Sequence, residues 1–405
     1  MFKGTFIAQI IGFIGAIYLA KIYGSESYGI FSVFISVLGI LSIVNTLQLE
    51  KSIVILKSKS ESKNLMNSLF IMAPIFSLLA AGIYFLYTTF FKIEPLQFEI
   101  ILLAIFTSIL FSFNKIHESF FTYRKKFKPI SNAKIYMAIF NFSFQLILFS
   151  SFKLKGLVFG NIISIILVTF YYFFKNKNYL SQIDLQQLKS TIISVKSIVK
   201  YIFPSTLINN LAINLIPILI VYFFSLKAAG VYFFSLKILA TPLFLIASSI
   251  SQVYYKKSSE MIHSSKEKLF DLTKNIVTTN VVIMLFILVL INTFGIYILE
   301  YFLGKNWSNL RLFTFILSFL ILARSSFNPI SNIIIVLNKN HISLIFNCYL
   351  LLVNLIAIFI GHYNNSLTIT LICFSVFGSI GYILLLIYFF KKLKVLKNHG
   401  ANFVI

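Results

Sequence analysis

The sequence predicts an all-α integral membrane protein with about twelve transmembrane helices. Hydrophobic residues make up 59% of its 405 residues and charged residues only 11%, whereas about a quarter of a soluble globular protein is charged. Apolar blocks such as IVTTNVVIMLFILVLINTFGIYIL, residues 276–299, are long enough to cross a hydrocarbon core about 30 Å thick. These blocks have helical length and lack the alternation of a transmembrane β-barrel.

Charged and turn residues divide the chain into twelve predicted helices, each close to the length of about 20 residues that a membrane span requires. In chain order they are placed at 3–22, 29–48, 66–91, 97–118, 130–151, 156–174, 203–225, 229–253, 276–299, 309–336, 342–361 and 367–390.

The basic residues predict the orientation of these helices. With the N-terminus inside, the cytoplasmic breaks hold 24 of the 35 Lys and Arg residues, and the outer breaks hold seven. Cytoplasmic loops of membrane proteins carry an excess of Lys and Arg. Both termini are therefore predicted to be cytoplasmic.

The longest inner break separates two predicted lobes of six helices each. The N-terminal lobe is placed at 1–174, a cytoplasmic linker at 175–202, the C-terminal lobe at 203–390 and a cytoplasmic tail at 391–405. The two lobes are expected to be related to one another by an internal repeat.

The linker is predicted to contain an amphipathic helix that lies on the inner leaflet. Ser181 followed three residues later by Asp184 is a helix-start signal. Apolar residues then recur every three or four positions, opposite three lysines, which is typical of an interfacial helix. The apolar positions are Leu185, Leu188, Ile192, Val195 and Val199.

The internal repeat is visible at the first outer turn of each lobe. AKIYGSESYGIFSVF (20–34) and YFFSLKAAGVYFFSL (222–236) align on Gly29 and Gly230. Because each half has six helices, both halves enter the membrane in the same direction, as in a parallel repeat about an axis along the membrane normal. Repeated halves favour a transporter.

Two basic residues lie deep in predicted spans. Lys237 is eight residues past Ala229 and Arg324 is fifteen past Asn309, which places them roughly 12 Å and 22 Å into the membrane. All eleven acidic residues lie in breaks or near helix ends. A cation without an internal counter-ion should face a wet cavity or bind an anion from outside the protein. The alternative is that Lys237 snorkels and that backbone carbonyls satisfy Arg324.

Other ionisable residues within spans have simpler explanations. Lys115, His117, Glu118 and Lys134 lie within about two turns of the predicted inner face, from which they can snorkel to water. Lys134, near the inner mouth, is also a candidate for binding an anionic substrate.

Two asparagines complete the set of candidate binding residues. Asn210 and Asn214 are four residues apart on one face of the seventh predicted helix, before Pro217. They could hydrogen-bond sugar hydroxyls, or join neighbouring helices; both interpretations remain open. GLVFG, residues 156–160, is a small-residue pattern typical of helix packing.

Other kinds of site are not expected. The net charge of +24 comes from basic residues scattered among the breaks, without the basic domain typical of a nucleic-acid-binding protein. Cys348 and Cys373 fall inside apolar runs, and the five histidines lack metal-ligand spacing. No disulfide framework, metal site or cofactor is therefore predicted.

Five stretches, spread over essentially the whole chain, carry a family resemblance. They are GTFIAQIIGFIGAIYLAKIYGSESYGIFSVFISVLGILS, LEKSIVILKSKSESKNL, ISQVYYKKSSE, FLGKNWSNLRL and NPISNIIIVLNKNHISLIFN. They are similar to the polysaccharide-biosynthesis exporters, the Wzx-type O-antigen flippases of the multidrug/oligosaccharidyl-lipid/polysaccharide (MOP) superfamily. The polar leader that usually precedes GTFIAQ in this family is nearly absent. The resemblance therefore does not predict where the inner end of the first span lies.

The resemblance implies two six-helix lobes around a central cavity that is open to each side in turn. It implies transport of undecaprenyl-diphosphate-linked oligosaccharides from the inner to the outer leaflet of the bacterial cytoplasmic membrane. It also implies that Lys237 and Arg324 match basic positions of the eighth and tenth helices. The predicted substrate-binding residues are Lys237, Arg324, Lys134, Asn210 and Asn214.

The favoured function is therefore that of a flippase for O-antigen, capsule or related surface-polysaccharide synthesis, and not that of an enzyme. Its expected partners are the lipid-diphosphate-linked oligosaccharide, the bilayer and a polysaccharide polymerase. One alternative is a multidrug exporter of the same fold, which would need a deep carboxylate for a cationic drug. The other is a membrane polymerase or glycosyltransferase, which would need acid/base or metal-binding groups in larger outer loops.

Overall fold

A computed structural model describes residues 2–90, 95–177, 184–196 and 198–401 of the chain. Almost all of these residues are helical, and no strand occurs among them, so the predicted all-α class is confirmed. Fifteen α-helices are present in the described ranges, namely α1 Phe2–Val44, α2 Lys59–Phe90, α3 Pro95–Tyr123, α4 Phe127–Ile147, α5 Phe149–Phe152, α6 Gly156–Asn176, α7 Leu185–Ser194, α8 Phe203–Phe223, α9 Leu226–Ser264, α10 Lys266–Leu290, α11 Ile296–Leu303, α12 Leu310–Phe327, α13 Ile333–Val336, α14 Asn340–Tyr363 and α15 Leu367–Ala401.

The first helix, α1, folds back on itself at Gly24. This residue has φ 73° and ψ 177°, a conformation that glycine adopts readily. The Tyr28 hydroxyl donates a hydrogen bond to the carbonyl of Ala16 at 2.6 Å, although twelve residues of straight helix would separate their Cα atoms by about 18 Å. α1 therefore contains the first two predicted spans, with the turn inside the predicted break.

Ten helical stretches in the described ranges are long and apolar enough to cross a membrane. Two differences separate this number from the twelve predicted spans. The first two spans are merged in α1, and the fifth lies in α4, which is a helix but is not among the ten. Lys128, Asn132 and Lys134 make α4 less apolar than its neighbours.

The chain forms two compact units, residues 1–230 and 231–405. In the first unit α1 packs against α3, α4 and α8, and α4 packs against α6. A Cβ at Gly160 would lie 2.6 Å from the Cγ of Gln145, so the small residue of GLVFG allows α4 and α6 to approach closely. In the second unit α15 packs against α10, α12 and α14. The lobe limits at 174 and 203 stay a prediction.

The two glycines of the predicted repeat meet within the first unit. A Cβ at Gly29 would overlap the carbonyl oxygen of Leu226, and one at Gly230 would overlap the carbonyl oxygen of Ser25. The same Cβ at Gly230 would lie 2.8 Å from the backbone nitrogen of Gly29. Backbone therefore packs directly on backbone where α1 crosses the start of α9.

The linker helix α7 forms where the sequence predicts it. The Asp184 carboxylate caps it by accepting hydrogen bonds from the backbone nitrogens of Gln186 at 2.9 Å and Gln187 at 3.1 Å. The side-chain amide of Asn64 on α2 bonds both the carbonyl and the backbone nitrogen of Asp184, at 2.7 and 3.0 Å. Ser181, the other residue of the start signal, lies outside the described residues.

The apolar side of this linker is covered by protein. Val195 is buried, and Leu188 and Val199 are packed beside it. They contact a hydrophobic cluster made by the turn after α1 together with α2 and α3, whose members include Leu49, Ile53, Leu65, Leu69 and Phe120. The prediction that this side lies on lipid is therefore wrong at these three positions, because amphipathic periodicity does not distinguish a lipid surface from a protein surface. The position of α7 on the inner leaflet stays a prediction.

Candidate functional site

Lys237 lies at the middle of a membrane-length helix. It is eleven residues after Leu226, the first residue of α9, or about 16 Å along the helix. The side chain is half-buried. Its ammonium has no hydrogen-bond or ion-pair partner in the part of the chain that the structure describes.

Arg324 lies on α12, another helix of the same unit. It is fourteen residues after Leu310, about 21 Å along the helix. The guanidinium Nε is buried without a hydrogen-bond partner, and the group interacts electrostatically with the buried Tyr232 of α9. Tyr232 precedes Lys237 by five residues, so Arg324 lies beside the helix that carries the other deep cation.

Neither deep cation has an acidic partner in unit 231–405. This unit contains only four acidic residues in its sequence, Glu260, Glu267, Asp271 and Glu300. Glu267 and Asp271 pair with Lys397, and Glu300 pairs with Arg311. An isolated charge inside a membrane is costly. No acidic side chain of this unit thus offsets the charge of Lys237 or Arg324.

Asn210 and Asn214 of the first unit form a short hydrogen-bonded row along α8. The Asn214 amide donates to the Asn210 Oδ1 at 3.3 Å, and the Asn210 amide donates to the Thr206 carbonyl at 3.1 Å. A Cβ at Gly39 of α1 would lie 3.2 Å from the Asn214 Nδ2. The pair therefore contributes to the packing of α8 on α1, and a role in sugar binding stays a prediction.

Lys134 of α4 belongs to a polar group that the sequence did not predict, which we call the lysine–glutamate cluster. It consists of Ser42, Lys115, Glu118, Lys134 and Tyr172. The Lys115 ammonium donates to the Ser42 hydroxyl at 2.8 Å, and the Tyr172 hydroxyl donates to the Glu118 carboxylate at 3.0 Å. Glu118 interacts electrostatically with both lysines.

The prediction that side chains near the inner face snorkel to water is wrong for two residues, His117 and Lys115. His117 is fully buried among the rings of Phe70, Tyr172 and Phe173, and its Nδ1 lies 3.2 Å from the Asn176 Nδ2. Lys115 turns its ammonium inward to α1. The sequence signal that could have revealed the cluster is the three-residue spacing of Lys115 and Glu118, which places both on one helix face.

Metal-binding groups are absent from the described residues: no three of their His, Cys, Asp and Glu side chains are placed to share an ion. Cys348 and Cys373 are free and half-buried.

Sequence comparison assigns the chain to a family. The profile of the family described as "Polysaccharide biosynthesis protein" matches residues 18–311, well over half of the chain. The chain belongs to this family. The resemblance predicted from the five quoted stretches is confirmed. No curated protein sequence matches it significantly.

Solved structures show the fold of this polysaccharide biosynthesis protein. It is similar to an inward-facing multidrug resistance MATE family transporter of the MOP superfamily, with a TM-score of 0.70 and 15% identity over 98% of this chain and 96% of the other. It is also similar to the lipid II flippase MurJ in an inward closed conformation, with a TM-score of 0.69 and 15% identity over 97% and 89% of the two chains. A third similar structure is that of a MOP superfamily transporter from Pyrococcus furiosus, with a TM-score of 0.59 and 14% identity over 98% of this chain and 96% of the other. The chain thus has the MOP-transporter fold.

Proposed function

We propose that this polysaccharide biosynthesis protein is a flippase that moves an undecaprenyl-diphosphate-linked oligosaccharide across the cytoplasmic membrane by alternating access. The observation that carries the proposal is the pair of deep cations, Lys237 and Arg324, in a unit whose acidic residues are at helix ends or paired there. The family match and the likeness to a lipid II flippase support it.

The chemistry of a diphosphate explains why such cations would be needed. Its negative charge loses hydration when it enters a membrane, and this loss is costly unless fixed positive groups replace the water. Lys237 supplies a point charge, and the unpartnered Nε–H of Arg324 supplies a charge-assisted hydrogen bond. The isoprenoid tail would stay in lipid.

The proposed product is an oligosaccharide unit on the outer leaflet, delivered to a polysaccharide polymerase for O-antigen, capsule or a related surface polymer. No bond is made or broken in this step, so the protein is not an enzyme in the proposal. The alternative is a multidrug exporter, which the likeness to a MATE transporter supports. That alternative lacks a carboxylate at the depth of Lys237 in unit 231–405.

A transport assay with reconstituted protein tests the proposal. The probe is undecaprenyl diphosphate linked to a fluorescent disaccharide, and flipping is measured as its accessibility to an impermeant reductant, with sodium or proton gradients imposed. The protein should accelerate flipping at least tenfold, and Lys237→Ala and Arg324→Ala should each remove most of this acceleration. The same disaccharide on an uncharged isoprenoid is the control and should not be flipped. Efflux of a cationic dye without movement of the diphosphate probe would favour the multidrug exporter.

Orientation in the membrane is part of the proposal. The excess of Lys and Arg in alternate breaks supports cytoplasmic termini. A reporter that is active only outside the cytoplasm should be silent when fused after Ile405 and active when inserted after Leu154, in the turn between α5 and α6. Activity at Ile405 with silence at Leu154 would invert the topology.

A further inference from the structure

The lysine–glutamate cluster contains a carboxylate between two lysines of different helices. Lys115 and Glu118 share α3, and Lys134 lies on α4. All three side chains are half-buried. The electrostatic interaction of Glu118 is stronger with Lys134 than with Lys115. Glu118 is therefore the internal anion that offsets one of these two positive charges.

Neither lysine forms a direct ion pair with this carboxylate in the described part of the chain. Both ammonium groups instead bond hydroxyls of α1, Lys115 that of Ser42 at 2.8 Å and Lys134 that of Thr5 at 3.3 Å. Tyr172, which is fully buried, holds the carboxylate by donating to it at 3.0 Å. The cations are thus positioned by α1 and can accept a further anion.

The charges that surround this cluster offset one another. Glu50 and Lys51, on the turn after α1, both interact electrostatically with Lys115. Glu50 is buried, and its Oε2 has no hydrogen-bond partner. His117, which lies on α3 with Lys115 and Glu118, stacks on Tyr172. Counting Glu50, Glu118, Lys51, Lys115 and Lys134 as ionised, their formal charges are two negative and three positive.

We propose that Glu118 is a resident counter-ion beside a second anion site, in which Lys115 and Lys134 bind a phosphate of the substrate. The proposal rests on the proposed function. With the site empty, Glu118 lowers the cost of holding Lys115 and Lys134 within the protein. With a phosphate bound, Glu118 opposes it, which weakens binding and lets the lipid leave. Glu118 is thus a positioning residue that sets affinity through the two lysines.

The test is binding of undecaprenyl diphosphate to full-length protein in nanodiscs of zwitterionic lipid. Glu118→Gln keeps an acceptor for the Tyr172 hydroxyl and removes the charge. It should bind the probe about tenfold more tightly, which is about 1.4 kcal/mol, and release it more slowly. Uncharged undecaprenol should bind both proteins equally. Glu99→Gln is the matched control, because Glu99 lies on the same helix and pairs with Lys155; it should leave affinity for the probe unchanged.

A double variant checks that Glu118 acts through its neighbour. Lys134→Gln added to Glu118→Gln should return the affinity to near that of the natural protein. If Glu118→Gln does not reach normal membrane abundance, Glu118→Met with Tyr172→Phe removes the carboxylate and its donor together, so that no buried polar group is left unpaired. This pair should also bind the probe more tightly.

The outcomes separate this inference from the proposed function. If the natural protein binds undecaprenyl diphosphate and Lys237→Ala weakens binding, but folded Glu118 variants bind it no more tightly, the counter-ion role is overturned and the flippase proposal stands. If the natural protein binds undecaprenyl diphosphate no better than undecaprenol, the proposed function itself fails.

Discussion

Reversing the charge at Lys237 should stop transport more completely than removing it. Lys237→Ala leaves the site neutral, whereas Lys237→Glu places a negative charge where the proposed diphosphate must pass. Two unit charges 4 Å apart interact by about 4 kcal/mol at the effective dielectric constant near a protein surface. Because water and counter-ions reduce that value, we expect a further loss of about tenfold in flipping rate for Lys237→Glu relative to Lys237→Ala. Lys237→Arg should retain more activity than either.

The measurement is the flipping assay at equal amounts of folded protein, supported by surface-polysaccharide display in cells at equal membrane abundance. Lys227→Glu is the matched control, since Lys227 lies on the same helix but is exposed; it should transport normally. Equal rates for Lys237→Glu and Lys237→Ala would show that the position does not sense phosphate charge, and the cationic site would fail at this residue.

The helices were predictable because the length of each apolar stretch determines whether it can cross the membrane, with little contribution from packing between helices. Most residues of the predicted segments are helical where the structure describes them, and the exceptions are short turns, at 45–48, 148, 224–225, 309 and 331–332. The turn in the first 48 residues was also predictable, because no single span can hold so many apolar residues. The deep positions of Lys237 and Arg324 followed from counting residues along a helix of known rise.

What the sequence did not predict depends on contacts between helices. The inward direction of Lys115 is set by Ser42, which is 73 positions away in the chain. Tyr172 contacts Glu118 across 54 positions, and distance from a helix end gave the wrong environment for Lys115 and His117. For the same reason the apolar side of the linker was assigned to lipid, since its protein partners are distant in sequence.

The two repeat glycines, Gly29 and Gly230, were only partly predictable from the sequence. Their alignment at an offset of 201 marked them as equivalent, yet alignment alone does not say that equivalent residues touch. They are in contact because each turn places backbone atoms, without an intervening side chain, where α1 crosses the start of α9. Small residues allow helices to approach so closely in membranes.

Gly29→Ala should therefore destabilise the protein. The new Cβ would lie 2.7 Å from the carbonyl carbon of Leu226, and the obstructing atoms are backbone, which cannot move aside as a flexible side chain can. Overpacking of this kind typically costs about 1–3 kcal/mol, so we expect a melting temperature lowered by several degrees in detergent and lower membrane abundance. Gly12→Ala is the matched control on the same helix, since no atom lies within 4 Å of its added Cβ; alanine's better helix propensity should leave its stability equal or slightly higher.

The double variant gives the decisive measurement. Gly230→Ala alone should cost about as much as Gly29→Ala, because its Cβ also meets backbone, 2.8 Å from the nitrogen of Gly29. Once one methyl group has pushed α1 away from α9, the second meets a gap that is already open. The two losses in the free energy of unfolding should therefore sum to more than the loss in the double variant, by an amount above the 0.3–0.5 kcal/mol or so within which independent sites add. Strict additivity, or a Gly29→Ala protein as stable as Gly12→Ala, would contradict a shared crossing point.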